Sequence, residues 1–197
     1  MMQVILASAS PRRRQLFKKL GLPFKVVPSR VREKLPKTTK NPKKLVQKLA
    51  LLKARAVANP ASAYSDTNLS RGGVKDALII AADTIVVLKD KVIGKPKNLP
   101  HAKEILRQLS GETQYVITGI AIINTSTNKV RTAAVSTKVK MKKMTQKQID
   151  CFAKKHLDKA GAYAVQEKGD EFIESIEGSF SNVVGLPLEK LKSLLGK

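Results

Sequence analysis

The chain reads as an α/β protein built on a mixed β-sheet, on three observations. β-forming runs alternate with amphipathic segments along most of the sequence. Helix start signals, Ser10-Pro11, Asn41-Pro42 and Pro100, fall between those runs. Two long β-forming stretches, 114–124 and 129–141, are separated only by the polar TSTN turn, which makes them a hairpin. The 197 residues suffice for one large domain or two small lobes sharing a cleft. We expect a single domain over 1–197, with no internal repeat and no low-complexity tract.

Residues 3–7 (QVILA) read as a short buried strand. Ser10 then suits an N-cap, Pro11 the first helical position and Gly21 the helix end. KVV at 25–27 is a second strand. A long helix starts at Asn41-Pro42, carries Leu45, Val46, Leu49, Leu52, Ala56 and Val57 broadly on one side, and ends near Asn59-Pro60. Residues 60–76 are polar and rich in Gly and Ser, a loop. ALIIAADTIVVL, 77–88, is strongly β-forming, and KDK turns into VIG. Residues 100–109 form a helix stopped by Ser110-Gly111. The hairpin strands follow, then a helix through Lys155 opened by a Thr145/Gln148 capping box. Pro187 begins the last helix.

Charge narrows the function. Against 38 Lys+Arg stand 15 Asp+Glu, a formal +23 that implies polyanionic company such as nucleotides, nucleic acid or an acidic membrane surface. Residues 12–55 hold 16 basic side chains and one acid, Glu33. The single cysteine, Cys151, excludes an intrachain disulfide and points to a reducing compartment; we read it as a small apolar residue on a helix. The first residues lack a basic leader followed by a long apolar stretch, and no apolar run approaches the roughly 20 residues that span a bilayer. A cytoplasmic protein without membrane attachment is therefore expected.

Two places look chemical. The stretch LASASPRRRQ, 6–15, sets three arginines in the first turn of a helix, where the helix dipole is already positive. A docked anion facing backbone N–H and guanidinium groups would resolve that conflict; the plainer alternative is that Arg12, Arg13 and Arg14 splay into water. Asp83 interrupts LIIAA and IVVL, where a carboxylate is costly unless paired with a cation or metal. It could instead sit at a bulge, satisfied by backbone N–H groups, but a chain so rich in cations favours a functional carboxylate. Glu33 is the other candidate, although a surface ion pair worth roughly 0–1 kcal/mol would account for it too. By residue type alone, Lys53 and Lys95 are ordinary surface lysines, and His101 and His156 have no partners at metal-ligand spacing. G-x-x-x-x-G-K-[ST], G-x-G-x-x-G and nucleophile-elbow patterns are all absent, so any phosphate loop is of another kind.

LASASPRRRQLF, AADTIVVL, GKP, LSG, DKAGAYAVQ and GSFSNVVGLPL, in that order and from end to end, resemble the Maf family of nucleoside triphosphate pyrophosphatases. The resemblance implies an elongated mixed β-sheet flanked by helices, two lobes around a deep cleft, and a homodimer. It implies attack of water between the α and β phosphates, giving a nucleoside monophosphate and pyrophosphate. Asp83 falls on the family's catalytic acidic position, the proton acceptor, and Ser8, Arg13, Glu33, Lys53 and Lys95 on other cleft positions. Ser8, Arg13, Lys53 and Lys95 are then expected at the phosphates, and Glu33 with Asp83 at a divalent metal, Mg²⁺ or Mn²⁺. That agrees with phosphoryl chemistry, which depends on positioning and charge neutralisation.

Within the family the chain looks most like the subgroup acting on dTTP and UTP. Arg12, Thr84 and Gln166 fall where its specificity determinants lie, and a relative acting on 7-methyl-GTP tends to show Trp, Gln and Glu there. Uracil and thymine present acceptor, donor and acceptor along their pairing edge, which the amide of Gln166 can match. Two departures raise the local positive charge: Leu52 and Arg32 stand where the family often has acids. Two other readings remain. One keeps the reaction but moves it to modified or other nucleotides. The other is a basic nucleic-acid-binding or cell-division factor without hydrolase activity; against it, the basic segment offers only Phe17 and Phe24 for stacking and shows no established binding motif, so nucleic acid is not required.

Overall fold

The computed structural model describes residues 2–31, 35–59, 73–155, 157, 159–163 and 172–196. Its sheet is mixed and has the strand order β2-β1-β3-β5-β6-β7, with β4 beside β3. β1 (Gln3–Leu6) runs parallel to β2 (Lys25–Val26) and to β3 (Ala77–Leu88). β4 (Lys91–Ile93), β5 (Thr113–Asn124), β6 (Lys129–Met141) and β7 (Ile173–Glu177) pair antiparallel with their neighbours. The helices are α1 (Pro11–Lys18), α2 (Pro42–Ala58), α3 (Leu99–Leu109), α4 (Gln146–Lys155), α5 (Phe180–Val184) and α6 (Leu188–Leu195), with a 3-10 turn at Ala160–Ala162.

The caps fall where side-chain chemistry places them. Ser10 accepts from the backbone N–H of Arg13 at 3.4 Å, Asn41 from that of Lys44 at 3.0 Å, and Asn98 from that of His101 at 3.0 Å. Asn98 moves the start of α3 one residue ahead of Pro100. Thr145 and Gln148 exchange both capping-box bonds, at 2.9 and 3.3 Å. Two described elements carry little local signal. β7 is an edge strand, IESIE, held on β6 by pairing and by the Lys138–Glu177 and Lys140–Glu174 ion pairs at 3.0 and 2.9 Å. α5 has five residues, too few for a period, and is bounded by the Ser179 cap and Gly185 in the left-handed region at φ 114°.

β3 is the spine. It is buried on both faces, so its sequence is a nearly continuous apolar run. Its first half packs under α1 and α6 through Leu6, Phe17, Ile80, Leu186 and Leu191, and over α2 through Ile5, Ile79, Ala50 and Ala54. Its second half belongs to another core, where Val86 and Leu88 meet Leu106 and Leu109 of α3, Phe152 of α4, and Tyr163 and Phe172. The opposite side of that half, Ile85 and Val87, packs against Val46 of α2, so one helix runs along both halves of the strand.

Candidate active site

One edge of the sheet is interrupted midway along β3. β5 lines one edge of β3 from Leu78 to Val87. The other edge is shared: β1 pairs with Ala77–Ile80, and β4 takes over only at Val86. Between them, residues 81–85 have a strand neighbour on the β5 side alone. The chain leaves β1 after the backbone N–H of Ala7 donates to Ile80 O at 2.7 Å, and turns through Ser8 and Ala9 into α1. The hollow so opened has a volume of about 820 Å³ and is walled by the β1–α1 turn, β3, Gly94 and Lys95 after β4, Lys159 to Tyr163, and the end of α5. That lies within the usual size of small-molecule sites, roughly 300–1,000 Å³.

Alternation along β3 would normally separate neighbouring side chains to opposite faces. At the break both reach the same hollow. Asp83 points towards α2 and Thr84 towards α1 and α5, and each lines the cleft. Asp83 is 4% exposed, and its Oδ1 accepts from Lys53 Nζ at 2.5 Å. Lys53 reaches it because Val46, Ala50 and Lys53 share the sheet-facing side of α2, and α2 lies hard against β5 at Gly119, the residue paired with Asp83. The other carboxylate oxygen, Oδ2, is buried without a hydrogen-bond partner among the described residues. Leaving one such oxygen unmatched costs several kcal/mol unless a ligand or metal meets it, roughly in the range known for buried charged acceptors.

Arg13 is fixed from two sides. Its Nε donates to Gly185 O at 2.8 Å and its Nη2 to Thr84 Oγ1 at 2.9 Å. Gly185 sits at φ 114°, a backbone conformation that strains any residue with a Cβ, and this glycine presents its carbonyl to Arg13. Arg12 lines the cleft beside it; Arg14 is exposed and does not. Ser8 is buried, and its Oγ accepts from the backbone N–H of Ser10 at 3.3 Å. Lys95 is exposed at the rim.

Seven sequence-predicted residues, Ser8, Arg12, Arg13, Lys53, Asp83, Thr84 and Lys95, thus line one hollow. Glu33 and Gln166 lie outside the described residues, as do His156 and most of the 60–76 loop. His101 is elsewhere, on α3, its Nδ1 accepting from the backbone of Lys97 at 3.2 Å. Cys151 is exposed on α4. Much of the basic segment is a solvated face: Lys43, Lys44, Lys48 and Arg55 cover the outer side of α2.

Sequence reasoning passed over Lys159 and Tyr163, although both lie in the DKAGAYAVQ stretch. Gly161, at φ 75°, lets the turn close on Tyr163, whose hydroxyl accepts from Gln114 Nε2 at 2.8 Å. Burial pushes the Tyr163 phenol well above its ordinary value, and the Gln114 hydrogen bond only partly opposes this. Among the described residues no three His, Cys, Asp or Glu side chains stand together. A metal here would have Asp83 as its one described carboxylate and would draw further ligands from substrate and water, a pattern that suits Mg²⁺.

Fold and cleft together define an α/β protein whose split sheet holds a buried carboxylate within a cationic wall. Residues 3–197 match the family model described as Maf-like protein. The chain belongs to that family. It is 40% identical over 197 residues to a dTTP/UTP pyrophosphatase of Dictyoglomus thermophilum, covering 99% of this chain and 95% of that protein. It is 43% identical over 197 residues to the protein of the same name from Acetivibrio thermocellus, covering 99% and 94%. Among solved structures it is similar to a HAM1 protein from Coxiella burnetii, with a TM-score of 0.53, 16% identity and coverage of 100% and 99%. That likeness concerns the fold, a curled mixed sheet with flanking helices. Among the described residues no helix is long and apolar enough to cross a membrane.

Proposed function

We propose that the chain is a nucleoside triphosphate pyrophosphatase that hydrolyses dTTP and UTP to the nucleoside monophosphate and pyrophosphate. The names and near-complete coverage of its relatives support the reaction and substrates. The observation that carries the mechanism is Asp83, a residue of the cleft wall with one oxygen on Lys53 and the other buried without a hydrogen-bond partner among the described residues.

A water oxygen adds to the α-phosphorus, the bond from that phosphorus to the bridging oxygen breaks, and the electron pair leaves on pyrophosphate. The water proton passes to Asp83 Oδ2, which has a lone pair available for it. Lys53 holds the carboxylate aimed, so the base is positioned before substrate arrives. Arg13, tethered at Nε and Nη2, offers a preset guanidinium to the polyphosphate, and Arg12, Lys95 and the Ser8 hydroxyl extend that wall. Arg12, Thr84 and Gln166 would read the base. Asp83, together with Glu33, would hold Mg²⁺ or Mn²⁺, which neutralises phosphate oxygens when bound.

Asp83→Asn keeps the shape but loses the base. Pyrophosphate release from dTTP, assayed with Mg²⁺ and Mn²⁺, is expected to fall by about 10²- to 10⁴-fold; full retained activity would refute the assignment. Comparing dTTP, UTP, CTP and 7-methyl-GTP tests the substrate class, and flat rates across the four count against it.

A further inference from the structure

Behind Arg13 a polar chain runs from Thr84 to two buried residues that the reaction above does not use, Thr118 and Asn182. Thr84 Oγ1 lies 3.0 Å from Thr118 Oγ1, and Thr118 lies 3.1 Å from the backbone oxygen of Asn182. Thr118 and Asn182 are 0% exposed. Distances alone leave the hydroxyl protons free to point either way. The ends decide them. A guanidinium has donors only and a carbonyl oxygen can only accept. Thr118 must therefore donate to Asn182 O, Thr84 must donate to Thr118, and Arg13 Nη2 donates to Thr84.

The far end of the chain is itself fixed. Asn182 Nδ2 donates to Val116 O and to Thr137 Oγ1, both at 2.9 Å, and Thr137 donates to Ser179 O at 3.2 Å. These bonds pin α5 to β5 and β6, so the accepting carbonyl does not move with solvent. Hydrogen bonds in such a chain, out of water, polarise one another.

We propose that Thr118 is a positioning residue for the cleft: from the middle of the sheet it fixes the direction of the Thr84 hydroxyl and, through it, the Arg13 guanidinium. Thr118 touches no substrate. Its removal leaves the Thr84 proton without its acceptor, free to turn towards the N–H groups of Arg13, where donor would face donor. For its kinetic readout the inference rests on the pyrophosphatase reading; a second readout stands apart from it.

Thr118→Val keeps volume and removes the hydroxyl; Thr118→Ser restores the hydroxyl. With dTTP, kcat/KM is expected to fall about tenfold in T118V, the scale of one lost hydrogen bond to a charged group, and to recover in T118S. In ¹⁵N NMR the Arg13 Nη2–H resonance, the one that reports the bond to Thr84, is expected to be sharp and slowly exchanging in the wild type and T118S, and broadened in T118V. A T118V protein that melts with the wild type, keeps the Arg13 resonance and keeps its kcat/KM overturns the proposal. Should the wild type hydrolyse no nucleotide, the functional reading fails, and the NMR comparison alone decides the positioning role. If T118V does not fold, Thr118→Cys, a poor hydrogen-bonding isostere, replaces it with the same expected loss of the Arg13 signal.

Discussion

Replacing Gly119 by alanine tests how Lys53 comes to meet Asp83. Gly119 lies on β5 opposite Asp83, and a Cβ built there would stand 2.2 Å from Val46 O, 2.3 Å from Val46 C and 2.7 Å from Gln47 N. These are backbone atoms of α2, which no rotamer change can move aside. A carbon and a carbonyl oxygen approach to about 3.3 Å at closest, so the helix must retreat by about 1 Å. Lys53 follows Val46 by roughly two turns on the same face and is carried with it. A 1 Å retreat would stretch the Lys53–Asp83 contact from 2.5 Å to beyond good hydrogen-bond length. Overpacking of this kind costs about 3 kcal/mol, which for a chain of this size lowers Tm by roughly 6–12 °C. The misplaced pair should also slow pyrophosphate release by about 10²-fold. Differential scanning calorimetry and the release assay at a temperature where the variant is folded give both numbers. A G119A protein with wild-type Tm and wild-type rate would show that the close approach of α2 does not set the pair.

Two side chains outside that contact make separable predictions. Tyr163→Phe removes the hydroxyl that accepts from Gln114 and is expected to cost about 1 kcal/mol in thermal unfolding. Because burial raises the folded-state value of that phenol above its ordinary 10.0, its contribution is complete below about pH 10 and is lost as the pH rises further. The Tm gap between wild type and Y163F should therefore narrow in alkali, and a gap that widens there contradicts the burial argument. Glu189 opens α6, and its carboxyl is held below the ordinary 4.5 by its own backbone N–H and then by hydroxyls of Ser181 and Ser179 at 2.9 and 3.0 Å. Its contribution is present above about pH 4.5 and fades as the pH falls through the lower folded value, so wild type and Glu189→Gln should converge in Tm in acid; a constant difference from pH 7 to pH 3 argues against it.

Much of this architecture was legible along the chain because its signals are local. The Asn41 and Ser10 caps, the apolar run of β3 and the TSTN turn each involve residues a few positions apart, and all stand where the sequence placed them. β7 was not legible, because IESIE has no strong period and is held by lysines some 35 residues earlier in the chain. α5 was missed because five residues cannot display a helical repeat. The motif order pointed to the family, and Asp83 announced itself as a carboxylate inside an apolar strand.

What the sequence by itself determined is therefore the class of fold, the family and the residue types of the site: a cationic first turn and an acid in a greasy strand. Only the tertiary structure decided that these belong to one cleft. Neighbours on a strand face opposite sides, and Asp83 and Thr84 share a hollow because β1 leaves β3 before β4 joins it. Likewise, by residue type alone Lys53 was a surface lysine, and the family resemblance put it at the phosphates; the missing Cβ of Gly119, 66 positions later, brings its helix close enough to pair with Asp83. Pairing and close packing act across distances that no local pattern of side chains records.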